Sequence, residues 1–145
     1  MPLPKPEPGL VIQYEYLWRQ EHEAGHDQGS KNRPCAIVVA VTTTAGVTEV
    51  VVAPITHSEP TSPSEGIEIP SRVKQHLGLD AQRSWVVVTD LNAFNWPGFD
   101  IHPIPNAPPG TYDYGFLPPK LHQQIVDKIN QIGSRTAATD RNEAN

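Results

Sequence analysis

The most apolar stretch of the chain has no polar face. In residues 35–41, Cys35, Ile37, Val39 and Val41 alternate with Ala36, Val38 and Ala40, so both sides of an extended strand are apolar. Such a strand belongs in the middle of a sheet, covered above and below. Residues 42–46 are turn-rich, and the β-branched run 47–53 can pair back as a hairpin. Upstream, residues 9–17 place Leu10, Ile12, Tyr14 and Tyr16 on one face and Val11, Gln13 and Glu15 on the other, which predicts a half-buried strand.

Further along, the pattern predicts a short strand over 66–69 and one or two helical turns over 71–77. Ser71 caps those turns and Gly78 stops them. A third strong strand covers 84–91 and ends in Asp90, with a further short strand near 99–101. Pro118 and Pro119 suit a helix start, and Leu121, Ile125, Ile129 and Ile132 recur at helical spacing, so an amphipathic helix spans 119–132. Strands first and a helix last point to a mainly β fold, a small curved antiparallel β-barrel with a C-terminal α-helix.

These elements form one domain over residues 9–132. Residues 1–8 make a Pro-rich arm, and residues 133–145 form a polar tail expected to be disordered. The segment 18–32 reads as a long surface loop, and 56–65 as a second polar loop rich in Pro and Ser. A length of 145 residues supports a real core, and 16 prolines imply stiff loops around it. The single cysteine, Cys35, lies in an apolar strand, so an intramolecular disulfide and a cysteine zinc site are both excluded. That fits a reducing cytoplasm. No signal peptide is expected from MPLPKPEPG, and no apolar run is long enough to span a bilayer. The net charge of −5 argues against a generic polyanion binder but leaves room for a local basic patch at Lys31 and Arg33.

The candidate chemistry sits at the open end of the hairpin. Arg33 precedes the first strand and Thr56 follows the second, and in an antiparallel pair those two ends coincide. A guanidinium forks onto two phosphate oxygens and keeps its charge, and a neighbouring hydroxyl can orient or protonate a third. Together they suit a phosphoryl transition state without a metal. The same residue types also suit a solvated loop Arg and a turn-forming Thr. His57 beside Thr56 is either a general acid or base or an ordinary surface His, one of six in the chain, with Lys31 and Ser58 as flanking substrate contacts. Asp90 is either a catalytic carboxylate or a cap for the following turn. Phe94, Trp96 and Phe99 either stack on bases or fill the end of a barrel. A different chemistry is spelled by His22-Glu23-Ala24-Gly25-His26, which matches HExxH of zinc peptidases. That motif needs a helix, and Gly25, Gly29 and the lack of an apolar face oppose one.

The order of these pieces resembles the PemK/MazF-like toxins of bacterial toxin–antitoxin pairs. The resemblance rests on Gly9-Leu10-Val11-Ile12, on Arg33-Pro34 before the apolar strand, on Pro54-Ile55-Thr56, on Gly78-Leu79 before Ser84-Trp85-Val86-Val87, and on Gly115-Phe116-Leu117 before the last helix. It covers residues 9–132. It implies a barrel of the Src-homology-3 type, a two-fold homodimer and a cognate antitoxin. The implied activity is cofactor-free cleavage of single-stranded RNA, in which the 2′-hydroxyl attacks the adjacent phosphate and leaves a cyclic phosphate. The family's active Arg falls on Arg33 and its active Thr on Thr56. Two departures stand out. The family's opening Gly-Asp is Gly9-Leu10, and the second Arg that some members carry two positions before the strand-end Asp is Val88. A barrel that binds RNA or protein without cutting is therefore the alternative.

Overall fold

The computed structural model describes residues 3–25, 31–133 and 137–142. Among the described residues the chain is mainly β, with eight strands in one sheet and three α-helices. Strands β1 (Leu10–Glu15), β2 (Asn32–Thr42) and β3 (Thr48–Thr56) form an antiparallel meander, with β2 in the middle. The apolar pattern of β2 is explained by two cores. Cys35 and Ile37 pack on one side with Ile12, Tyr14, Val50 and Phe94, whereas Ala36 and Val38 pack on the other with Val11, Ala53, Val86 and Ile125. Consecutive residues serve both cores because successive side chains of a strand point to opposite faces, and the pairing with β3 shifts register between Ile37 and Val39. Beyond it Val39 and Val41 are exposed while Ala40, paired with the buried Val50, stays against the core, so only the first half of the strand is covered on both faces.

Along its other edge β3 takes two partners. Its first half pairs with β6 (Asp90–Trp96) and its last residues with β5 (Trp85–Val87), which also pairs β4 (Gly66–Glu68). The single strand expected over 84–91 is therefore broken. The stretch 87–91 spans what Ala53 and Pro54 span on β3, because the register changes between the pairs Ile55–Val86 and Val52–Asn92. Pro54 has no N–H for a ladder, and Val88 instead donates its N–H to the Glu65 carbonyl at 2.9 Å. Strand β7 (Asp113–Phe116) pairs the outer edge of β1, and the stretch expected near 99–101 contributes only the bridge Tyr14–Ile101. The sheet does not close on itself as a barrel in this pairing.

Helix α1 (Arg19–Glu23) occupies part of the predicted loop 18–32. Helix α2 (Ser71–Leu77) begins after Pro70 with no side-chain cap, so Ser71 is its first residue rather than its cap. Gly78 ends it with φ 72°, a left-handed conformation that a side chain would strain. Helix α3 (Pro119–Ile132) buries Leu121, Ile125 and Ile132 against the sheet.

The expected disordered tail does not hold for residues 137–142. Strand β8 (Ala137–Asp140) runs parallel to β6. Arg141 donates to the Glu15 carbonyl and to Asn92 Oδ1, pairs with Asp100 at 2.8 Å and lies over the Tyr14 ring. A buried cation with this many partners holds the strand in place, despite a tail composition that carries few apolar residues.

Candidate functional site

Three segments meet at one end of the sheet around a cleft of about 200 Å³. The entry of β2 brings Lys31, Asn32, Arg33 and Pro34; the exit of β3 brings Ile55, Thr56, His57 and Ser58; α2 and the loop after it bring Lys74, Leu79, Asp80 and Ser84. The β2–β3 ladder stops at the pair Cys35–Pro54, two residues before Arg33 is reached on one strand and two before Thr56 on the other. The hairpin thus brings Arg33 and Thr56 into one cleft, together with Lys31, His57 and Ser58.

Arg33 is a half-buried cation whose guanidinium stacks over the Trp18 ring at 5.0 Å. Its Nε is buried with no hydrogen-bond acceptor. No carboxylate of the described residues pairs with it. Thr56 Oγ1 accepts the Ser58 N–H at 3.1 Å, so its acceptor side is used locally and its own O–H is left to donate.

The other side of the cleft holds a charged chain that runs from the surface inward. His57 Nε2 lies 2.8 Å from Asp80 Oδ2. Asp80 Oδ1 accepts from the Lys74 ammonium at 2.7 Å and from the Gln82 N–H at 3.1 Å. Lys74 Nζ also donates to Ser84 Oγ at 2.7 Å and to the Gln82 carbonyl. The Lys74 side chain is only 5% exposed. Desolvation pushes the Asp80 carboxyl up, but the Lys74 hydrogen bond, the charges of His57 and Lys74 and the Gln82 amide together outweigh it and hold it below its usual range. Among the described residues lining this cleft, Lys31, Arg33 and Lys74 face one carboxylate, Asp80, so that lining is cationic although the chain carries −5.

Asp90 lies elsewhere. Its carboxylate accepts from Tyr16 Oη at 2.6 Å and from the Arg19 N–H at 3.1 Å, and it does not line the cleft. Burial raises its carboxyl above the usual range, against the lowering effect of those two bonds. Its place is that of a structural anchor for the segment carrying Trp18. Val88 is fully buried in the core under α3, so that position presents no side chain to the cleft. Phe94 is buried, stacked on Tyr14 at 4.9 Å, and fills the core as the second of its two readings required, whereas Phe99 is exposed. His22 sits exposed on the five-residue α1, and its HExxH partner His26 is outside the described residues. No group of three or more His, Cys, Asp or Glu gathers among the described residues. No family model matches this chain, and no curated protein matches it. No helix among the described residues is long and apolar enough to cross a membrane.

Sequence reasoning missed Lys74, Asp80 and Ser84. One signal for Lys74 was present: it stands three residues before Leu77, on the face of α2 that an amphipathic reading buries. A lysine on a core face needs a partner, and the nearest downstream carboxylate is Asp80.

Proposed function

We propose that this protein is a metal-independent endoribonuclease that cuts single-stranded RNA, the toxin of a toxin–antitoxin pair acting in the cytoplasm. The observation that carries the reading is Arg33: a half-buried guanidinium with no carboxylate partner among the described residues, in a cleft shared with the Thr56 hydroxyl and two further cations. A phosphodiester supplies the missing counter-charge. When the 2′-hydroxyl attacks, negative charge grows on the non-bridging oxygens, and a fixed guanidinium stabilises it more than it stabilises the ground state. The Thr56 O–H, oriented by the Ser58 amide, donates to one of those oxygens, and Lys31 holds the adjoining backbone. The order of motifs shared with the PemK/MazF-like toxins supports the same reading. It extends it to a Src-homology-3-type barrel, a homodimer and an antitoxin that covers the cleft.

The test is inducible expression of the wild type beside Arg33→Ala and Thr56→Ala, with cleavage of single-stranded RNA by the purified proteins in chelator. The wild type is expected to arrest growth and cut RNA, and each substitution to slow cleavage on the order of 10²–10³-fold with folding intact. Intact RNA at high enzyme excess refutes the proposal. Val88 favours a second reading, since a cation that some toxins carry at this place is absent and the position is buried. In that reading the cleft binds RNA or a protein without cutting, and Arg33→Ala abolishes binding where no cleavage was present to lose.

A further inference from the structure

We propose that Asp80, held by the buried Lys74, is a positioning residue that fixes the His57 imidazole with its proton on Nε2, leaving Nδ1 as the proton acceptor of the cleft. The inference rests on the nuclease reading for its chemistry but not for its geometry.

Lys74 has three N–H donors and spends all of them on Asp80 Oδ1, Ser84 Oγ and the Gln82 carbonyl. It therefore has no donor left for a ligand and works as an anchor for the loop after α2. Asp80 divides its two oxygens. Oδ1 receives Lys74 and the Gln82 N–H, while Oδ2 is presented to His57 Nε2 at 2.8 Å. An ionised carboxylate only accepts hydrogen bonds, so the ring nitrogen beside it must carry the proton. The lysine keeps that carboxylate ionised, so Asp80 cannot turn the bond around by donating a proton of its own. His57 lies next in sequence to Thr56, and both line the cleft with Lys31 and Arg33. Among the described residues, the charged groups that line the cleft with His57 are Lys31, Arg33, Lys74 and Asp80, and of these Asp80 is bonded to the imidazole.

In the cleavage step the 2′-oxygen bonds to phosphorus as its proton passes to His57 Nδ1. The bond from phosphorus to the 5′-oxygen breaks, that oxygen takes a proton from water, and the imidazolium returns one to the solvent. The products are a 2′,3′-cyclic phosphate and a free 5′-hydroxyl. An orienting carboxylate behind a histidine base is a known arrangement, and its amide replacement fails chiefly through the wrong tautomer.

The experiment reads the tautomer directly in the full-length protein without RNA. Long-range 15N–1H spectra of the imidazoles, with His57 assigned by its loss in His57→Gln, are expected to show neutral His57 protonated at Nε2. An Nδ1-protonated ring or an even mixture overturns the proposal, and the tautomer itself is read in the wild type. In Asp80→Asn the tautomer is expected to move toward Nδ1, and cleavage to fall about 10- to 100-fold; in His57→Gln the fall is about 100-fold or more. Full cleavage in either variant overturns the catalytic role. A wild type that leaves RNA intact defeats the nuclease reading, while the tautomer still decides the geometry proposed here.

Discussion

Asn92 is fully buried on β6, and its amide is the clamp for the segment that carries Trp18. Oδ1 accepts the Leu17 N–H at 3.0 Å and an Arg141 N–H at 3.0 Å; Nδ2 donates to the Leu17 carbonyl at 2.7 Å and to the Leu91 carbonyl at 3.1 Å. Asn92→Ala removes all four bonds at once. Leu17 is itself 2% exposed, so its N–H and C=O lose their partner where water does not reach. Each buried backbone group left unmade costs about 1–3 kcal/mol. The space left by the amide and the weakened seat of Arg141 add to this, so the expected loss is about 4 kcal/mol. For a domain of this size that lowers the melting temperature by about 10 °C. Urea titration followed by tryptophan fluorescence measures it, with Asn142→Ala, an exposed asparagine just after β8 whose Oδ1 accepts the Asn95 N–H, as a control expected to cost about 1 kcal/mol or less. A loss below about 1 kcal/mol for Asn92→Ala would refute the reasoning, because it would mean that Leu17 finds other partners and that the clamp does not hold the segment.

Two further outcomes follow from the same contacts. The Asp80 carboxyl is held below its usual range, so the folded state favours the ionised form more than the unfolded chain does. The stability this supplies is complete above the ordinary carboxyl value of about 4 and is lost as pH falls through the depressed folded value. Urea midpoints of the wild type should therefore fall more steeply below about pH 4 than those of Asp80→Ala, and parallel acid limbs would contradict the assignment. Cys35 is fully buried and its thiol is pushed up by burial, against the lowering effect of Arg33 and Arg141. Modification by a thiol reagent should run on the order of 100-fold or more slower in the native protein than in denaturant; similar rates would show that β2 opens locally.

Local pattern determined a good deal of this protein. Helix α3 begins and ends where Pro119 and the Leu121–Ile125–Ile129–Ile132 spacing place it, α2 ends at Gly78 as read, and the hairpin of β2 and β3 follows from two β-branched runs across a turn. Those signals are encoded within a few residues of each other, in side-chain periodicity and in the special backbone freedom of Gly and Pro. The meeting of Arg33 and Thr56 was legible for the same reason, since antiparallel pairing alone returns one strand end to the other. The rest depended on groups far apart in the chain. The run 84–91 had the composition of one strand, but β3 holds its two halves in different registers and splits it at Val88. Nothing in a polar tail announces that Arg141 will be buried against Glu15, Asn92 and Asp100. Asp90 reads as a candidate catalytic carboxylate until Tyr16 and the Arg19 amide claim both its oxygens. The link from His57 through Asp80 to Lys74 joins the exit of β3 to α2 and the loop after it, and its geometry comes from the placing of α2 against the end of the sheet. Polar groups buried at long range are satisfied by whichever partner the packing brings near, and only the tertiary structure decides which that is.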